Sequence, residues 1–117
     1  MTNRVQGGGG RSAIALDSEK LLPAASAVLS QLQSNDAGKQ SMLLMAANKA
    51  SAKANRDHLV NALQERGFRL VKDDERTVEG RAAYALTLSS VDEEAMVTVT
   101  DAGAYRAVLI NRTRDAK

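Results

Sequence analysis

The chain has 117 residues, ordinary apolar (44%) and charged (26%) fractions, three aromatic residues and no cysteine. This length fits one domain with a modest aliphatic core, and the lack of cysteine excludes disulfides, thiolate metal sites and a cysteine nucleophile. The net charge of +2 comes from the two ends, because residues 13–110 carry 11 basic and 13 acidic side chains. Since proteins that bind nucleic acid usually concentrate basic side chains on the folded body, composition does not favour that class.

Residues 1–12 include a tetraglycine run and are predicted to form a disordered N-terminal segment. A phosphate-binding loop would need a preceding strand and a following Lys-Ser or Lys-Thr, whereas Arg11 and Ser12 follow here. No apolar run reaches membrane-spanning length, and no secretory leader is visible. We therefore expect a cytoplasmic protein, or a periplasmic or outer-membrane-associated one from which a leader has been removed.

Residues 12–32 are predicted to be helical, because apolar residues recur at helical spacing. Asp17 or Ser18 would cap the start of this helix, which would place Pro23 in its first turn. The polar run at residues 34–39 would end it. The apolar stripe comprises Leu21, Leu22, Ala25, Val28, Leu29 and Leu32.

A second helix, over residues 51–66, is the best-marked element of the chain. Asn48 or Ser51 can cap its start, and Gly67 ends it. The apolar run at residues 41–47 just before it fits either a buried strand or a helix, because a run this short shows no period. We favour the strand.

The C-terminal half predicts an antiparallel meander of three strands after a short strand at residues 68–71. Residues 72–80 are predicted to be a mobile charged connection, and alternation begins at Arg81. The fold class is therefore α+β in two layers, with an antiparallel sheet covered by the central helix and an additional N-terminal helix. The predicted domain covers residues 13–111, followed by a frayed basic tail at residues 112–117.

No constellation of side chains predicts catalysis, cofactor binding or metal binding. The single histidine, His58, lacks a visible nucleophile or further metal ligands. The acidic clusters lack the spacing of a calcium loop, so solvated loops are the favoured interpretation. These clusters are Asp73, Asp74, Glu75 and Glu79 in one segment, and Asp92, Glu93 and Glu94 in another.

Four polar residues near the start of the central helix are candidates for nucleic-acid binding under an alternative interpretation. The basic ones are spaced so that they could share a helical face, as in a recognition helix. A solvated helix surface is the simpler interpretation. The four residues are Lys49, Lys53, Asn55 and Arg56.

The order of elements over residues 12–110 resembles the TrbH family, small extracytoplasmic lipoproteins of conjugative type IV secretion systems. The resemblance rests on Met42-Leu-Leu-Met45, Leu59-Val-Asn-Ala-Leu63, Gly67-Phe-Arg-Leu-Val71 and Tyr84-Ala-Leu86. It implies a non-catalytic assembly module whose partners are proteins, among them subunits of the secretion apparatus. Contact would be made through a sheet edge or the uncovered sheet face. The chain lacks the lipidated cysteine of that family.

Residues 39–105 are also similar to winged-helix DNA-binding domains of the MarR kind. Leu63-Gln-Glu-Arg-Gly67 and Val99-Thr-Asp-Ala-Gly103 carry this resemblance. It implies a small transcriptional regulator that binds duplex DNA, with residues 41–47 in a helix. The acidic side chains at the position of the wing oppose it, because they would repel phosphates.

Overall fold

Two helices and six strands follow one another along residues 13–115, the part of the chain that the computed structural model describes. The predicted disordered segment at residues 1–12 lies outside this range. The elements are α1 (Ala13–Lys20), β1 (Ala27–Asp36), β2 (Lys39–Asn48), α2 (Ala52–Glu65), β3 (Arg69–Val78), β4 (Arg81–Ser89), β5 (Glu93–Asp101) and β6 (Arg106–Asp115).

The six strands form one sheet in the order β1-β2-β6-β5-β4-β3, and every neighbouring pair is antiparallel. Strands β3 to β6 are a meander, and its last strand lies against β2. Helix α2 therefore connects β2 to the far edge of the sheet, and successive reversals make β2 and β3 parallel. The edge strands are β1 and β3.

The core lies between the sheet and the helices. Period-two alternation places Met42, Leu44 and Ala46 of β2 on the helix side, and β4, β5 and β6 contribute buried residues in the same way. Both helices pack on this face, with Leu59 and Leu63 of α2 fully buried. The other face of the sheet, here called the open face, is covered by neither helix.

The start of α2 is fixed by its cap and by a buried amide pair. Ser51 Oγ accepts a hydrogen bond from the Ala54 backbone N–H at 3.0 Å, which satisfies one free donor of the first turn. Asn48 and Asn55 exchange side-chain hydrogen bonds of 2.7 and 2.8 Å, and both are buried. The amide pair therefore joins the end of β2 to the first turn of α2.

The helix predicted for residues 12–32 is wrong beyond Lys20. Helix α1 ends there, Pro23 follows it, and Ala25 has a φ of 63°. Residues 27–36 form strand β1 instead, and nine of its ten residues are exposed. Because an edge strand with two exposed faces needs no period-two alternation, the spacing of Val28, Leu29 and Leu32 resembled a helix by chance.

Two segments predicted to be irregular are strands. Residues 72–78 belong to β3 and pair with β4, so only Glu79 and Gly80 form the turn. Residues 112–115, predicted as the start of a frayed tail, end β6 and pair with both β2 and β5. Their charges gave the appearance of loops. In β3 the charged side chains protect an edge strand from unwanted pairing, whereas β6 is an inner strand whose Arg112 is buried in ion pairs.

The α+β class is confirmed, as is the helix predicted over residues 51–66. Residues 41–47 lie within β2, as the favoured interpretation predicted. The winged-helix alternative required a helix at this position, so its architecture is wrong for this chain.

Candidate functional site on the open face of the sheet

An apolar patch lies on the open face at the β1 side of the sheet. Strand register places Leu32 beside Leu43, and Met45 beside Leu109, while Met96 lies across Asn111 from Leu43. Leu32, Met45 and Met96 are 63%, 43% and 53% exposed, and the two leucines between them are half-buried. We define the apolar patch as Leu32, Leu43, Met45, Met96 and Leu109.

The other half of the open face is polar. The row that contains Met96 continues through Thr87 to Lys72, and the next row continues through Ala85 to Asp74. Lys72 Nζ lies 3.8 Å from Asp74 Oδ2, and both side chains are exposed. The open face therefore changes from apolar at β1, β2, β6 and β5 to charged at β3.

A depression of about 370 Å³ lies at one end of the apolar patch. Its walls combine Leu32 and Leu43 of the patch with polar side chains, including Ser34, Ser41 and Asn111. Apolar walls with a few hydrogen-bonding groups at the rim suit a protein or ligand surface of the same composition.

The helix side of the sheet contains a buried charge network centred on Arg112. The Arg112 side chain is 4% exposed, binds Glu93, and donates to Asp17 at 2.8 Å and Ser18 at 3.0 Å. Arg66 donates to the other Asp17 oxygen at 2.7 Å. Every charged group in this network therefore has a partner of opposite charge, as a structural cluster requires.

Sequence reasoning missed this network. The Arg112 guanidinium also lies 5.5 Å from the centre of the Phe68 ring, within reach of a cation–π interaction. Glu93, predicted to lie in a solvated loop, is buried against it. The sequence offered no signal for this pairing, because 95 residues separate Asp17 from Arg112 and the contact depends on the strand order.

The four nucleic-acid-binding candidates do not form one basic surface. Asn55 is fully buried in its pair with Asn48. Arg56 binds Asp73 and Asp57, and its hydrogen bonds to these two carboxylates raise its pKa above the ordinary arginine value.

The two remaining candidates are exposed lysines. Lys53 pairs with Asp57 at 3.1 Å, and Lys49 lies in the connection that precedes α2. Acidic neighbours thus offset most of the positive charge that this face would need to attract a phosphate backbone.

The other candidate side chains occupy unrelated positions. His58 is exposed on α2. The acidic residues of β3 alternate between the two faces of the strand, and Tyr84 donates from its hydroxyl to Glu75 at 3.4 Å. Within residues 13–115, no group of three or more His, Asp or Glu side chains is placed to hold a metal ion.

Neither helix of the described segment has the length and apolar content needed to cross a bilayer.

Comparison with known proteins adds a structural relative. No protein-family model and no curated protein matches the chain. The chain is similar in structure to PA94 from Pseudomonas aeruginosa, a protein of unknown function described as a candidate regulator. The TM-score is 0.52 at 14% sequence identity, and the match covers 80% of this chain and 74% of PA94. At this identity the likeness concerns the fold alone.

Proposed function

We propose that this protein is a non-catalytic assembly module that binds another protein through the apolar patch on its open face. The single observation that carries the proposal is the exposure of Leu32, Met45 and Met96 around the half-buried Leu43 and Leu109, on a sheet face that no described element covers. Exposed apolar side chains are common, but contiguous ones framed by polar residues mark interaction surfaces.

The dimensions of the patch fit one amphipathic helix of the partner. The patch crosses β1, β2, β6 and β5, and three strand spacings correspond to about 14 Å. A helix with its side chains is about 10–12 Å wide. Such a helix would cover the open face, on the opposite side of the sheet from α1 and α2, with its own polar face in solvent.

We also propose a narrower role, as an extracytoplasmic component of a conjugation or type IV secretion apparatus. This role rests on the resemblance to the TrbH family and would locate the protein in the periplasm or at the outer membrane. A regulatory role is suggested for PA94 alone, and the four candidates near the start of α2 form no basic surface that would favour DNA binding over protein binding.

Site-specific photo-crosslinking in cells of the protein's own host tests the proposal. A photoreactive amino acid in place of Met45 should yield one discrete adduct, whose partner is identified by mass spectrometry. The matched control carries the same group in place of Asn61, an exposed residue on the opposite side of the molecule. No adduct is expected from position 61.

A second substitution distinguishes specific binding at the apolar patch from nonspecific crosslinking. Leu109→Asp, combined with the photoreactive group at position 45, should remove the adduct while the variant stays folded by circular dichroism. Equal adducts from positions 45 and 61, or no adduct at all, would contradict the assembly role. A partner outside any secretion apparatus would contradict only the narrower role.

A further inference from the structure

The two edges of the sheet differ in the groups they present to solvent. Strands β1 and β2 are joined by a two-residue turn, Ala37 and Gly38, with φ values of 52° and 79°. Positive φ at both positions defines the type I′ hairpin, in which the two residues flanking the turn exchange both backbone hydrogen bonds. Bonded and unbonded positions then alternate along the strand. Asp36 therefore bonds to β2, and the backbone groups of Asn35, Gln33 and Gln31 point away from the sheet.

The same geometry recurs at the opposite edge. Glu79 and Gly80 turn β3 into β4 with φ values of 53° and 79°. Val78 therefore bonds to β4, and the outward backbone groups belong to Thr77, Glu75 and Asp73. Two of these three residues are acidic. Arg56 compensates Asp73, but a second copy paired about Glu75 would bring two Glu75 carboxylates together.

The β1 edge carries no such protection. Its three outward residues, Gln31, Gln33 and Asn35, have neutral amide side chains, each with a donor and an acceptor. Asp36 is the only charged residue of the strand, and it lies at the end. Gln31 is half-buried and donates to Glu19 at 3.0 Å, whereas the other nine residues of β1 are exposed. A regular edge extends over residues 30–36, because a bulge interrupts the register between Val28 and Ser30.

From this asymmetry we propose that a second copy of the chain pairs with β1 in antiparallel orientation, with Gln33 on the twofold axis. Gln33 then faces Gln33 of the other copy, and Gln31 faces Asn35, so every cross-strand pair on the helix side is an amide pair. Leu32 faces Ser34 on the open face. The outward N–H and C=O groups of three residues per copy then form hydrogen bonds between the copies, and no two like charges face each other.

The pairing closes at two copies. The dimer is a continuous sheet of twelve strands whose ends are the two acidic β3 edges, and these edges resist further addition. The apolar patches of both copies lie on the same face of this sheet, with Leu32 nearest the axis. The inference depends on the β1 edge and not on the function proposed for the patch.

Analytical ultracentrifugation of the full chain over a range of concentrations tests the pairing. The wild type should dimerise. Gln33→Glu and Gln33→Lys each place like charges across the axis and should weaken dimerisation about twofold to fivefold. A 1:1 mixture of the two variants should recover dimers, because opposite charges then meet. Gln33→Pro, which removes an outward N–H and leaves the bonds to β2, should give monomers.

Matched controls are available on the other edge. Thr77→Glu and Thr77→Lys alter an outward residue of β3 and should leave the dimer unchanged. Even a weak pairing with a Kd of about 1 mM gives detectable dimers at a protein concentration of about 1 mM. A wild type that is monomeric at this concentration would overturn the inference. Dimers insensitive to Gln33, or dissociated by the Thr77 variants, would also overturn it. Met45→Glu should preserve the dimer, so failure of pairing and failure of patch binding are distinguishable.

Discussion

Arg112 is the residue whose role depends most on its surroundings. Its guanidinium is almost fully buried and binds Glu93, Asp17 and Ser18. Through Asp17, which also binds Arg66, it connects α1 and the end of α2 to the centre of the sheet. A buried charge is tolerated only when it is paired, so removal of one member leaves the others uncompensated.

Arg112→Met should lower the free energy of unfolding by about 3–5 kcal/mol, because Glu93 and Asp17 lose their shared partner. Urea unfolding at pH 7 measures the change. The control is Arg114→Met on the same strand, where the side chain is less buried and donates to Gln40. This control should change stability by about 0.5 kcal/mol or less. Equal effects of the two substitutions would contradict the structural role of Arg112.

The surroundings of Asp17 predict that the free energy of unfolding depends on pH. Burial alone would raise its pKa, but hydrogen bonds from Arg112 and Arg66 outweigh burial and hold the pKa below the ordinary value. A carboxyl with a depressed folded-state pKa stabilises the fold above its unfolded pKa of about 3.9. This stabilisation is lost as the pH falls through the folded-state pKa.

Urea midpoints measured between pH 2 and pH 7 check this dependence. We expect Asp17→Asn to be less stable at neutral pH and to lose less stability on acidification than the wild type. Asp36→Asn, which alters an exposed carboxyl at the end of β1, should retain the wild-type profile. Identical pH profiles for all three proteins would rule out this role of Asp17.

The edge strands explain most differences between expectation and structure at the level of elements. Strand β1 carries no period-two signal because both of its faces are exposed, and β3 carries six charged residues because it protects an edge. Inner strands β4 and β5 were predicted well, since burial of one face imposes strict alternation. In this sequence, an inner strand with one buried face is therefore easier to predict than an exposed edge strand.

Ala37 provides a test at the level of an element. Its φ of 52° lies in the left-handed region, which disfavours a Cβ-bearing residue other than Asn or Asp. Ala37→Asn should stabilise the protein by about 0.5–1 kcal/mol, because type I′ turns prefer Asn followed by Gly. Thermal unfolding measures the gain. The control, Ala104→Asn, alters an exposed loop residue without positive φ and should have little effect. A loss of stability at position 37 would contradict the turn assignment.

At the scale of the molecule, the feature with the largest consequences is the position of β6 between β2 and β5. This placement unites the N-terminal hairpin with the C-terminal meander, buries Arg112 and leaves α2 to cross from β2 to β3. It also separates the two edges by the full width of the sheet. The apolar patch exists because β6 brings Leu109 between Met45 and the β5 strand.

The run at residues 41–47 fitted either a strand or a helix, but local patterns alone predicted the central helix, strands β4 and β5 and the α+β class. These features depend on local signals: a serine cap, a glycine stop and the alternation that one buried face imposes. The candidate site was determined only by tertiary structure. Neither the apolar patch nor the Arg112 network is local, because each assembles side chains from strands distant in sequence. The order of the strands decides that Leu32 is exposed and that Arg112 is buried. This order depends on the interactions of the whole sheet and not on any local pattern.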